Sequence, residues 1–271
     1  METAEKIETV VSKDGTPIAV ERLGSGPPLV FVHGSTSDHD TAFRFVFPML
    51  DKYFSIHAMD RRGRGQSGDG PRYALERELD DVIAVVESAG DAVNSVNLFG
   101  HGFGALLALE ASRLTARVGK LAIYEGGITT SRSTVYPRGT VERMEEFLKE
   151  GNRDGVVVTF MTQVIEMHTD DLGVLRSQPR WLERLKNAHT IPRELHADRD
   201  YRFDPARFAN FQVPTLILVG ERSPDSDHAD AEALVRALPN SRVEVLPGQG
   251  HAATHTAPEM FAGVVGDFFL D

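Results

Sequence analysis

Short runs of β-branched and apolar residues, bounded by Gly, Pro or Asp, recur along the chain at 17–20, 28–32, 55–59, 96–99, 121–124, 215–219 and 243–246. Runs of that length with those boundaries predict β-strands. Between several of them, at 73–88, 103–114, 229–238 and 258–270, the sequence is helix-like. Strands alternating with helices predict a mostly parallel central sheet, because each parallel crossover lays a helix on a sheet face and covers both sides.

The alternation stops after 121–124 and resumes at 215. Between these strands, Val156, Val157, Phe160, Met161, Val164, Ile165 and His168 recur at helical spacing. The pattern predicts a core domain made of residues 1–127 and 211–271, with residues 128–210 inserted as a helical cap over the end of the sheet where loops carry chemistry. On that stripe Met161 is a candidate substrate contact and His168 is expected as an interior histidine. Trp181, the single tryptophan, lies in the same insertion and is a second candidate substrate contact. No internal repeat or low-complexity tract interrupts this organisation.

Composition narrows the functions open to such a fold. With 41% hydrophobic and 25% charged residues over 271 positions, the chain can bury a large core. Its net charge of −11 disfavours nucleic acid and anionic membrane surfaces as partners. There is no cysteine, so disulfides, thiolate catalysis and Cys-ligated metals are excluded. The first residues are polar and no run approaches about 18 apolar residues, which makes a soluble cytoplasmic protein the expectation. His251 and His255, four apart, are too few for a metal site. No metal or cofactor is expected.

The segment 96–105, Val-Asn-Leu-Phe-Gly-His-Gly-Phe-Gly-Ala, has the outline of a nucleophile elbow: a strand, a tight turn with small flanks, and a helix. Gly100 and Gly104 are the small flanks, which places Gly102 where the nucleophile would stand. Making His101 the apex instead would put Phe99 and Phe103 at the small positions. Three other motifs accompany the elbow: His33-Gly34-Ser35 after one strand, Asp60-Arg61-Arg62-Gly63-Arg64-Gly65-Gln66-Ser67-Gly68 after another, and Gly248-Gln249-Gly250-His251 near the C-terminus.

In this order, from about Val20 to the C-terminus, the four motifs resemble those of the α/β-hydrolase family, with lactonase-like members similar around Glu125. The resemblance implies the α/β-hydrolase fold and a catalytic histidine at His251, held by a carboxylate. The commonest acid position falls on Ser223, so the carboxylate is expected from Glu125, the alternative position, with Asp225 next and Asp227 just beyond. It also implies an oxyanion hole made by the backbone N–H groups of Phe103 and Ser35, which a glycine at the apex leaves in place. His101 is expected to make a structural hydrogen bond beside the substrate. Arg61, Arg62 and Arg64 are expected in ion pairs, on a turn whose glycines require positive φ.

Three functions follow. An enzyme without an acyl intermediate would use His251 and Glu125 for general acid–base chemistry on an apolar small-molecule carbonyl substrate: elimination, C–C cleavage, isomerisation, cyclisation or water-mediated hydrolysis. A serine esterase or lactonase whose nucleophile has been replaced by Gly102 would bind and not turn over. A dinucleotide-binding protein would use Gly100, Gly102 and Ala105 as G-x-G-x-x-A, with Glu125 on the ribose.

Overall fold

The computed structural model describes residues 6–90, 95–126, 128 and 136–271. Eight strands, β1 (Lys6–Val11), β2 (Pro17–Gly24), β3 (Pro28–Val32), β4 (Ser55–Met59), β5 (Val96–His101), β6 (Val118–Tyr124), β7 (Thr215–Gly220) and β8 (Ser241–Leu246), form one sheet in the order β1-β2-β4-β3-β5-β6-β7-β8. Strands β3 to β8 pair in parallel, while β2 runs antiparallel to both neighbours. This is the α/β-hydrolase fold. The first strand had no counterpart in the hydrophobic pattern, since Lys6 to Val11 mixes charged and apolar residues at a sheet edge.

Central strands are buried on both faces, and period-two alternation sorts their side chains into two cores. In β3, Val30 and Val32 pack toward α3 (Leu75–Ala89), α4 (Phe103–Leu114) and α10 (Asp225–Ala237). Leu29 and Phe31 point the other way, toward α1 (His39–Phe43), α2 (Phe47–Leu50) and the C-terminal α12 (Pro258–Leu270), which follows the short α11 (Ala253–Thr256). Phe31, Phe43, Phe47, Phe99 and Phe261 fill this second layer, with ring centroids 5.1–5.8 Å apart. Edge-to-face and tilted pairs at that spacing add to the stabilisation from buried area.

Between β6 and β7 lie α5 (Thr140–Lys149), α6 (Arg153–Thr159), α7 (Thr169–Ser177), α8 (Trp181–Lys186) and α9 (Ile191–Asp200), which pack around a third apolar cluster. The stripe predicted from Val156 to His168 is not one continuous helix. After α6 the chain makes a single π-helical turn, Phe160–Val164, and then leaves the helix axis. His168 therefore falls off the stripe: it caps α7 through Nδ1, and its side chain is 50% exposed instead of interior.

The inserted helices are anchored to the sheet by buried charge. Arg61 and Arg64, both fully buried, share Glu194 of α9, while Arg61 also makes a two-pronged ion pair with Glu78 of α3. Arg62 pairs with Asp81 and Asp14. Gly63 and Gly65 adopt φ of 74° and 51° in this turn, and a Cβ on Gly65 would overlap the Asp60 carboxylate. Among the described residues, no helix is long and apolar enough to cross a membrane.

Candidate active site

The turn between β5 and α4 places Gly102 at φ 55°, ψ −128°, a conformation that costs a residue with a Cβ about 1–3 kcal/mol. Its flanks must be glycine for a different reason. A Cβ on Gly100 would stand 2.3 Å from the Gly104 carbonyl oxygen, and one on Gly104 would stand 2.3 Å from that of Val32. At Gly102 itself there is room: its Cβ position lies 3.6 Å from His251 Nε2 and 3.7 Å from Gly34 Cα. The backbone has the shape that lifts a nucleophile, and the apex carries none.

His251 enters from the loop after β8. Its Nδ1–H donates to Glu125 Oε2 at 2.7 Å, which leaves the Nε2 lone pair facing Gly102. Burial alone would depress the imidazole pKa, but the hydrogen bond and charge of Glu125, with the charge of Asp227 added, outweigh it and raise the value above 6.5. Glu125 follows β6 with φ 44°, and its second oxygen accepts from Gly220 N–H and from the Ser223 hydroxyl. The carboxylate is thereby held at three points, in a backbone conformation that side chains other than glycine rarely adopt.

Ser223 occupies the commoner acid position and so serves as a donor to the acid from the neighbouring strand. Asp225 does not reach the histidine: it opens α10 with an exposed side chain. The turn after Ser223 runs directly into that helix and carries Asp225 outward. Asp227, one turn face further, does line the cavity, and burial together with the negative charge of Glu125 lifts its pKa to about 7.

Tyr124 and His101 support the pair from behind. The Tyr124 hydroxyl donates to the Gly250 carbonyl and accepts from Ala253 N–H, and its ring stacks on His101 at 4.8 Å. His101 Nε2–H donates to the His251 carbonyl at 3.1 Å, and burial keeps this imidazole neutral by pushing its pKa well below 6.5. Sequence reasoning had no signal for Tyr124, which reads simply as the last apolar residue of a strand.

Ser35 and Phe103 line the cavity beside Gly102, and among the described residues neither backbone N–H has a partner. The Ser35 loop is fixed by a histidine whose tautomer is determined: His33 Nε2 accepts from Arg61 N–H, so Nδ1–H donates to Gly34 O at 2.9 Å. Two free donors at the start of a helix and on a rigid loop can stabilise negative charge on a carbonyl oxygen.

The cavity above these groups measures about 130 Å³ and is roofed by inserted residues, including Met161, Phe160 and Leu195. Trp181 is not on this wall. Its ring packs in the core of the insertion and its Nε1–H donates to Asp154, because α8 turns that face away from the sheet. The dinucleotide reading also fails on geometry. Glu125, which would hold the ribose, already accepts on both oxygens from His251, Gly220 N–H and Ser223. Among the described residues no three His, Asp or Glu side chains are grouped as metal ligands.

Comparison with known proteins agrees with this architecture. A family model described as the alpha/beta hydrolase family matches residues 29–264. The solved structure of an alpha/beta hydrolase from Sphaerobacter thermophilus is 36% identical, with a TM-score of 0.84 over 97% of this chain and 100% of that one. Curated relatives include a non-heme haloperoxidase from Rhodococcus erythropolis, 27% identical over 89% of this chain and 92% of its own length. An N-formylmaleamate deformylase from Pseudomonas putida is 24% identical, with 90% and 89% covered.

Proposed function

This chain belongs to the alpha/beta hydrolase family, and we propose that it is an enzyme of that family that works without an acyl-enzyme intermediate on a small carbonyl substrate. Gly102 has no side chain to acylate, which removes the covalent route at the elbow. His251, oriented by Glu125, takes a proton from a substrate C–H or O–H, or from water, onto Nε2. The electron pair released collects on the carbonyl oxygen as an enolate or alkoxide, between the Phe103 and Ser35 N–H donors. Proton return from His251 completes an elimination, a C–C cleavage, an isomerisation or cyclisation, or a hydrolysis through water. Residues 128–210 act as the cap that excludes bulk water, and Met161 and His101 shape the site.

The observation that carries this reading is the 2.7 Å Glu125–His251 bond with Nε2 directed at an apex that has no side chain. An acid–base pair costs a buried charge and a positive φ at Glu125, and a protein with no use for the pair gains nothing from either. The test is deuterium exchange and cleavage, followed by NMR across a panel of small ketones and 1,3-dicarbonyls. We expect at least one member to react with the protein and not with His251→Ala. A panel with no His251-dependent reaction would sink the proposal.

One observation favours a second reading, a serine hydrolase that has lost its nucleophile. The room left at Gly102, with Nε2 3.6 Å from the Cβ position, is the room a serine needs. Restoring Gly102→Ser separates the two: a gain limited to ester or lactone hydrolysis supports the second, and loss of a native reaction supports the first.

A further inference from the structure

Arg184 of α8 is 94% buried on the wall of the same cavity, yet among the described residues no carboxylate pairs with it. The three buried arginines of the 61–64 turn each have a buried acid in contact. The guanidinium of Arg184 is held instead by neutral groups. Nη1 donates to Thr36 Oγ1 at 2.9 Å and to Ser37 Oγ, and Nη2 donates to the Thr41 carbonyl at 2.8 Å and to His255 Nε2 at 3.4 Å. Asp38, the acid whose charge acts on it, is engaged elsewhere, capping α1 and accepting from Asn187. A buried cation without a counter-charge is costly, and proteins keep one where something else supplies the charge.

We infer that Arg184 is a specificity residue for a carboxylate on the substrate, so that the carbonyl compound turned over at His251 is an oxo acid or another anionic carbonyl compound. The placement also limits its length. Thr36 and Ser37, which position the guanidinium, follow Ser35 directly, and two residues span at most roughly 7 Å. The carboxylate and the reacting carbonyl are therefore placed on one small molecule, at a spacing that the chain-length series below reads out. Because all four Nη hydrogens of Arg184 are already donated, the anion would be met by the Thr36 and Ser37 hydroxyls, which accept from the guanidinium and can donate their own hydrogens to a carboxylate, while Arg184 supplies the opposing charge.

The same cavity is also lined by Glu125, Glu166, Asp198, Asp227 and Asp230, so the preference must come from local contact at Arg184 and not from the overall charge of the walls. Burial lifts the pKa of Asp227 to about 7 and that of Asp198 to about 6, which removes part of the charge of Asp227 at neutral pH. Neutral His255, held there by burial and by Arg184 itself, adds no competing cation.

The inference rests on the proposed reaction for the identity of the site, but its test is binding alone. Titration calorimetry would compare 2-oxo, 3-oxo and 4-oxo acids of three to six carbons, each against its own amide, with the native protein, Arg184→Gln and His251→Ala. For at least one chain length the native protein should bind the acid at least about tenfold more tightly than the amide. That preference should persist in His251→Ala, whatever its turnover, and vanish in Arg184→Gln while the amide affinity stays. Because the acid–amide comparison in the native protein needs no variant, it stands even if Arg184→Gln fails to fold. If no acid outbinds its amide, or the preference survives in folded Arg184→Gln, the assignment is overturned. Loss of turnover in the panel above with the preference intact would refute the proposed chemistry and leave Arg184 as an anion site.

Discussion

Substituting the three glycines of the elbow should give a graded loss of stability whose order follows from the geometry. At Gly102 an added Cβ meets nothing closer than 3.6 Å, so Gly102→Ser bears only the strain of φ 55°, about 1–3 kcal/mol. At Gly104 the Cβ would lie 2.3 Å from the Val32 carbonyl and 2.5 Å from that of His33, both backbone atoms of the adjoining strand and loop. Relief there requires α4 to move off the sheet, and Gly104→Ala should exceed the roughly 3 kcal/mol upper range of ordinary overpacking. Gly100→Ala, 2.3 Å from the Gly104 carbonyl, should behave likewise. Urea denaturation followed by tryptophan fluorescence and circular dichroism measures all three, provided the slopes match and only midpoints move. Equal losses at Gly102 and Gly104 would refute the close-packed elbow, and no loss at Gly102 would mean that its positive φ is not enforced.

Four further outcomes concern the buried charges. Glu194→Gln leaves two buried guanidiniums to share Glu78, which should cost about 3–5 kcal/mol and lower the melting temperature by roughly 6–20 °C; a shift under about 2 °C in a thermal melt would remove this network as an anchor of the inserted helices. Turnover should rise with pH through a midpoint above 6.5, because His251 acts as a base only when neutral and its pKa is raised in the fold. The same raised value means that the Glu125 contact stabilises the fold fully below about 6.5, and that this contribution fades as pH climbs through the folded-state pKa. Glu125→Gln should move the rate midpoint to lower pH and reduce the maximum; an unchanged midpoint would count against Glu125 as the partner of the base.

Much of the fold was legible because its signals are local. The runs at 28–32 and 55–59 and the helices at 103–114 and 258–270 match the strands and helices to the residue, since short apolar runs and long apolar helical periods need no tertiary help. β1 was missed because an edge strand is defined by its partner and need not alternate strongly. The break at Phe160–Val164 was missed because a π-helical turn preserves apolar spacing up to the point where it rotates the stripe, which also misplaced His168. At the site, Gly102, His251 and Glu125 were readable from motifs. Glu125 was expected ahead of Asp225 on the resemblance alone, because the contacts that hold it, from Gly220 N–H and Ser223, converge only when two strands are side by side. Arg184 and Glu194 gave no signal at all: their roles arise only when α8 and α9 close over loops 148 and 133 residues away.

In the proposed site a complete acid–base and oxyanion frame surrounds an apex with no nucleophile. A fluorophosphonate probe tests it most directly, because labelling needs a hydroxyl, a base and oxyanion donors in one place. The protein as it stands should not be labelled, folded Gly102→Ser should be, and Gly102→Ser combined with His251→Ala should not. Labelling of the unaltered protein would place a nucleophile elsewhere in the site and contradict the proposal, and a folded Gly102→Ser that stays unlabelled would show that His251 and the donors are not aimed at residue 102.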